Sequence, residues 1–225
     1  MGSCGAARVR DGHKQICRTV RLHTYRGDRR HLRDRRLSAK RERRKSTAIV
    51  TTHLPTTAEV IAGVLATPCE NANLTPEAGN LEQIREATLC LVDQERARNN
   101  ELPLHFNAQL ERAAEAHSEA MVSENYFSHI APNGETPVDR VRAAGYIPNS
   151  QVGYTIGENI AWGTLYLSTP AAIVSAWIAS PEHLANILDS EYAETAVGVA
   201  PAAPPSLANG QAGAVYTQEF GVIVD

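Results

Sequence analysis

The chain has 225 residues, a formal net charge of −3, 5% aromatic residues and four cysteines. That length admits one domain or two, and no run of 18 apolar residues exists, which excludes a standard membrane-spanning helix. The charge is unevenly spread: 16 of the 22 Lys and Arg precede Ser46 against four acids, and six basic and 21 acidic residues follow, so a segment of +12 is joined to a domain of −15.

Residues 1–45 are rich in Arg, Gly and Asp and poor in large apolar side chains, a composition expected to remain disordered. Arg29-Arg30, Arg35-Arg36 and the run from Arg41 to Lys45 could neutralise phosphates as a nucleic-acid arm. Tyr25 is the segment's one aromatic residue, however, so no stacking platform accompanies the charge. An export signal's basic region, or sequence upstream of the true start, accounts better for it. Residues 46–68 read as a possible export signal or linker: they turn apolar over Val60-Ile61-Ala62-Gly63-Val64-Leu65-Ala66, with cleavage expected after Ala66. His53, Pro55 and Glu59 make a poor apolar core for a signal, and a short helix beginning at Pro55 is the alternative. Ala66-Thr67-Pro68 before Cys69 lacks the small residue a lipid-anchored cysteine wants.

Cys4 and Cys17 fall in the part expected to be removed or disordered, which leaves Cys69 and Cys90. They are too few for a zinc knuckle, and an exported chain favours oxidation, so a Cys69–Cys90 disulfide is predicted, with two free buried thiols as the alternative. Asn73-Leu74-Thr75 is a glycosylation triplet of the kind that recurs by chance.

Leu81, Ile84, Thr88, Leu91 and Val92 recur at helical spacing, predicting a helix over residues 80–99. Asn107 caps a second, carrying Leu110, Ala113, Ala114, His117 and Met121 on one face to about Asn125. His117 on that face reads as a core histidine rather than a ligand. Thr136-Pro137-Val138-Asp139 starts a short helix, Thr169-Pro170 a longer one with Ile173, Val174, Trp177 and Ile178, and Ser180-Pro181 a further turn bearing His183. Residues 154–161, 195–200 and 215–224 read as strands of a small antiparallel sheet, with a turn at Asn209-Gly210.

Four short pieces put a polar side chain beside a bulky or turn residue: Tyr126-Phe127-Ser128-His129, Gly157-Glu158-Asn159-Ile160, Ser180 to Leu188, and Tyr216 to Gly221. His129, Glu158 and His183 form a borderline-soft donor set suited to zinc, with a fourth position left to water. By spacing alone, Glu158 could equally cap the turn beside Gly157, and His183 could be structural. Asn159, Trp162, Asn186, Gln218 and Phe220 read as wall and strand-edge support. No activated nucleophile is evident, because Ser128 beside His129 need not face it.

The order and spacing of these pieces, over residues 81–224, resemble the CAP superfamily of cysteine-rich secretory, antigen 5 and pathogenesis-related proteins, in particular its bacterial secreted members. The resemblance implies an α+β domain over residues 69–225, a three-layer α-β-α sandwich around a small antiparallel sheet. It also implies that His129, Glu158 and His183 line one open cleft, which in some members binds a divalent metal. Two departures stand out: many eukaryotic members carry a second glutamate at the position of Ser180, and bacterial relatives often have glycine where this chain has Glu182. Weak zinc binding is the expectation, with no other cofactor. Two functions follow: a secreted, monomeric, non-enzymatic module for a lipid, peptide or cell-envelope ligand, or a zinc-dependent hydrolase using the same cleft. The acidic domain itself argues against nucleic acid.

Overall fold

The computed structural model describes residues 15–25 and 54–224. The order is β1 (Gln15–Tyr25), α1 (Thr57–Ala66), α2 (Leu81–Arg98), β2 (His105–Phe106), α3 (Ala108–Ser123), α4 (Pro137–Ala143) and β3 (Gly153–Thr164). A 3-10 turn (Leu165–Ser168), α5 (Pro170–Ile178), α6 (Pro181–Leu188), β4 (Glu194–Ala200), α7 (Pro205–Ala208) and β5 (Gly213–Val224) complete it. The strands form one sheet in the order β1-β3-β5-β4-β2. The α+β architecture matches the expectation, with the three expected strands at the centre. β2 adds a two-residue strand parallel to β4, too short to show as a period-2 pattern.

One expectation is corrected. Within the segment read as disordered, Gln15–Tyr25 forms an edge strand antiparallel to β3. Composition weighs what a segment can bury by itself, and it is blind to an edge elsewhere that can accept backbone hydrogen bonds. The other residues before Leu54, including the arginine pairs and Cys4, lie outside the described ones.

Helix starts follow local chemistry. Thr136 accepts from the Asp139 amide while Asp139 reaches back to the Thr136 amide, and Thr56 with Glu59 does the same for α1, so the Pro55 region does open a helix. Asn107 and Thr169 cap α3 and α5 with their side chains. Ser180 holds the N-cap position of α6 without a capping bond from its side chain, and Pro181 supplies the preset φ.

Strand alternation divides the core between two helical layers. On one face Ala161, Val197, Val199, Tyr216 and Phe220 pack with Trp177 and Ile173 of α5, Ile187 of α6 and Ile84 of α2. The other face meets α3 and α4, where Ile156 and Ala196 pack with Leu110 and Val141, and Ile160, Trp162 and Val215 pack with Met121 and Phe127. A Cβ at Gly198 would overlap the Ala114 backbone, so glycine there sets how closely α3 rides on β4. Cys69 and Cys90 form the predicted disulfide, tying the chain after α1 to α2.

Candidate functional site

Glu158 lies in β3 and is fully buried. Alternation turns its side chain toward α3 and α4, and turns that of Asn159 toward α6. α4 brings Arg140, one turn after the Thr136 cap, to within 2.8 Å of Glu158 Oε2. Arg140 also donates to the His129 carbonyl at 2.9 Å, so one guanidinium fixes both the anion and the loop that carries the histidine. That loop leaves α3 through Asn125, whose φ of 56° reverses the chain. Phe127 then anchors in the core, and His129 is delivered against Glu158. His129 Nδ1 donates to Glu158 Oε1, which leaves Nε2 buried and without a hydrogen-bond partner among the described residues.

Besides Arg140, two further residues that the sequence did not single out for the site complete the cluster. His117 of α3 is the core histidine expected, yet its Nε2 stands 3.8 Å from Glu158 Oε2 and its Nδ1 3.4 Å from the Tyr126 hydroxyl. Glu219 of β5 sits directly opposite Glu158 in the antiparallel register, also fully buried. Adjacent buried carboxylates divide their protons. Burial would raise the Glu158 pKa, but the charge of Arg140, with His117 and His129, holds it well below the usual carboxylate range. Burial, with the Glu158 charge beside it, pushes Glu219 well above that range, so Glu219 is the member that keeps a proton. Burial likewise lowers His117 to about 4, leaving it neutral at pH 7. Burial acts to lower Arg140, but the charge of Glu158 and the hydrogen bond to it outweigh it, and the guanidinium stays charged.

His183 reaches the site from the opposite layer. It is buried in the first turn of α6, and its carbonyl accepts from Asn159 Nδ2 at 3.2 Å. Asn186, one turn on, donates to Asn159 Oδ1 at 2.9 Å and to the Glu158 carbonyl at 3.4 Å. These amide bonds tie α6 to β3. Gln218, opposite Asn159 in β5, instead donates to Thr195 Oγ1 at 3.2 Å and so links β5 to β4. The structure thus brings His129 and Glu158 into direct contact and sets His183 on the facing layer. Among the described residues no three His, Cys, Asp or Glu side chains converge in a geometry that holds a metal ion. An open concavity of about 660 Å³, lined by Ile147, Pro148, Val152 and Tyr154 at the start of β3, contains none of these residues.

The glycine of Gly157-Glu158-Asn159 has a packing reason. A Cβ there would collide with the Tyr192 ring, which stacks on Phe220 in the apolar layer. Residues 89–220 match the family model described as the cysteine-rich secretory protein family, CAP. The chain belongs to this family. The matched span contains every site residue named above and leaves out β1 and α1. The uncharacterized protein YkwD of Bacillus subtilis (strain 168) is 30% identical over 153 residues, 67% of this chain and 52% of that protein. The uncharacterized membrane protein YlbC of the same organism is 33% identical over 111 residues, 49% of this chain and 30% of that one. The chain therefore spans about half or less of the curated relatives it matches. Among solved structures, an extracellular protein containing a SCP domain from Bacillus anthracis str. Ames aligns with a TM-score of 0.47 at 25% identity, over 64% of this chain and 43% of that one. An outer surface protein from Borrelia burgdorferi aligns with a TM-score of 0.45 at 17% identity, over 59% and 87%.

Proposed function

We propose that this CAP domain is an exported recognition module, and that the His129–Glu158–His183 region binds a cell-envelope, lipid or peptide ligand without turning it over. One observation carries the reading: both oxygens of Glu158 are committed, Oε1 to His129 and Oε2 to Arg140. A general base needs a carboxylate oxygen free to take a proton at the reacting atom. Here the carboxylate is a fixed anion that orients a histidine, and among the described residues no hydroxyl or thiol beside it is activated.

Export is supported by the basic-then-apolar order up to Ala66 and by the Cys69–Cys90 disulfide, a bond that persists in oxidising compartments. The donor atoms fit a divalent metal in part. His129 offers Nε2, and Glu158 on Nδ1 is the carboxylate partner that metal-binding imidazoles commonly have. A zinc ion would be held by His129 and His183, with Glu158 orienting the first rather than ligating, and it would supply Lewis acidity toward a ligand oxygen.

The test is a calorimetric Zn²⁺ titration of the full chain beside the His129→Ala/His183→Ala double variant, with peptide and ester hydrolysis followed in the same samples. About one equivalent bound by the parent, lost in the variant and unaccompanied by hydrolysis, is the expected result. Turnover that requires both histidines would replace the recognition reading with the zinc-hydrolase alternative.

A further inference from the structure

We propose that the outer edge of β3 is a strand-addition site for an extended basic peptide, and that Gln15–Tyr25 occupies it in cis. The proposal rests on the reading of this region as a recognition site and assigns it one ligand class.

β3 has the makings of a pairing edge. It runs for 12 residues without proline, and its one charged residue, Glu158, is turned inward onto Arg140. Sheets guard their edges with charges that face outward, with proline or with short strands, and β3 has none of these. The opposite edge, by contrast, ends in the two-residue β2. β1 shows that the β3 edge accepts a strand: it pairs antiparallel from Gln15 opposite Gly163 to Leu22 opposite Ile156. The register carries it past the site, with Val20 opposite Glu158 and Thr19 opposite Asn159. α6, the helix of His183, contacts both β1 and β3. A strand in this place therefore runs between the layer that supplies His129 and the layer that supplies His183.

Charge selects the occupant. Residues 1–45 hold 16 basic side chains against four acidic, whereas the rest holds six against 21. Main-chain hydrogen bonds give an added strand affinity with little regard to sequence, and the acidic domain would favour peptides bearing Lys or Arg. The cis strand competes as an intramolecular ligand, so a free peptide must outcompete a covalently attached one. Removal of the segment by cleavage after Ala66 would leave the edge open to a peptide in trans.

The experiment uses the full chain and its Thr19→Pro/Arg21→Pro variant, because proline removes the amide hydrogens a ladder needs. Both positions lie in the added strand, Thr19 opposite Asn159 and Arg21 opposite Gly157. A second variant, Arg18→Glu/Arg21→Glu, weakens the cis strand by charge without proline. The probe is a fluorescent peptide of residues 15–25 carrying Cys17→Ser, followed by anisotropy, with hydrogen exchange read over residues 153–164. Both variants are expected to bind it about tenfold or more tightly than the parent. β3 amides that exchange faster in the variants should regain protection when the peptide is added. A peptide also carrying Arg18→Glu and Arg21→Glu should bind more weakly, the more so at low salt. Equal or absent binding by the variants, or protection arising away from β3, overturns the proposal. If Zn²⁺ still binds in those same samples, the recognition site stands and only the peptide assignment falls.

Discussion

The two faces of β3 solve different problems with residues one position apart. Toward α5 and α6, Ala161 joins Trp177, Ile173, Tyr216 and Phe220 in a cluster whose worth scales with apolar area removed from water. Toward α3 and α4, Glu158 is buried at comparable depth, and its worth depends on Arg140, His129, His117 and Glu219 being in place together. The apolar face degrades in proportion to what is deleted. The polar face depends on pairing, so deleting one member can cost more than deleting two.

The largest effects test that contrast directly. Trp177→Ala is expected to cost about 3–5 kcal/mol by cavity formation, and no second deletion should recover it. Arg140→Met should cost about the same, 3–5 kcal/mol, because it strands the Glu158 charge. Adding Glu158→Gln to Arg140→Met should recover most of the loss. Urea unfolding of the three variants and the parent reads all of these. A double variant no more stable than Arg140→Met would mean that the guanidinium acts by packing rather than by pairing.

Next comes the pH dependence of His117. Its folded pKa of about 4 lies below the ordinary value of 6.5, so the unfolded chain takes the proton first as pH falls. Stability from this group is complete above pH 6.5 and is lost progressively down to pH 4, by about 3 kcal/mol in all. The stability difference between parent and His117→Gln should therefore change by about that amount across the window. A difference that stays level with pH would place the imidazole in contact with solvent, contrary to its burial.

Glu219 should behave with the opposite sign. Its folded pKa is raised, so the parent loses stability as pH climbs above the unfolded carboxylate value of about 4.3. Glu219→Gln is neutral at every pH and removes that loss. It should match the parent near pH 4 and exceed it at pH 8 in thermal unfolding. A variant less stable at pH 8 would show that Glu219 carries a charge the site needs.

The same contrast explains what the sequence made legible. Helical spacing at Leu81, Ile84 and Val92, alternation at residues 195–200 and the Thr-Pro helix starts are local signals, and those elements formed where expected. His129 with Glu158 and the Cys69–Cys90 bridge were also anticipated, the first pair on family likeness and the second on elimination. Arg140 and Glu219 were not, because neither has a near neighbour in sequence that marks it. Arg140 reads as one more charge on a short helix. Glu219 becomes a site residue only when the β3–β5 register sets it opposite Glu158. β1 escaped for the same reason: its pairing partners lie 129 to 148 residues along the chain, at Gly153–Thr164.

The smallest expected effect links the two kinds of signal. Thr136 is a local feature, readable as a cap, and it starts the helix that presents Arg140 to Glu158. Thr136→Ala removes the bond from the Asp139 amide, at 3.2 Å, and should cost about 1 kcal/mol. The loss should stay that small because Arg140 is also held by the carbonyls of His129, at 2.9 Å, and Glu135, at 3.4 Å, neither of which belongs to α4. In NMR spectra the His129 ring signals should accordingly stay near their parent positions while the amides of residues 137–140 shift. A loss approaching that of Arg140→Met, with the His129 signals displaced as well, would mean that the cap is what keeps the guanidinium on the buried carboxylate. The polar face would then stand on a short-range feature of the sequence after all.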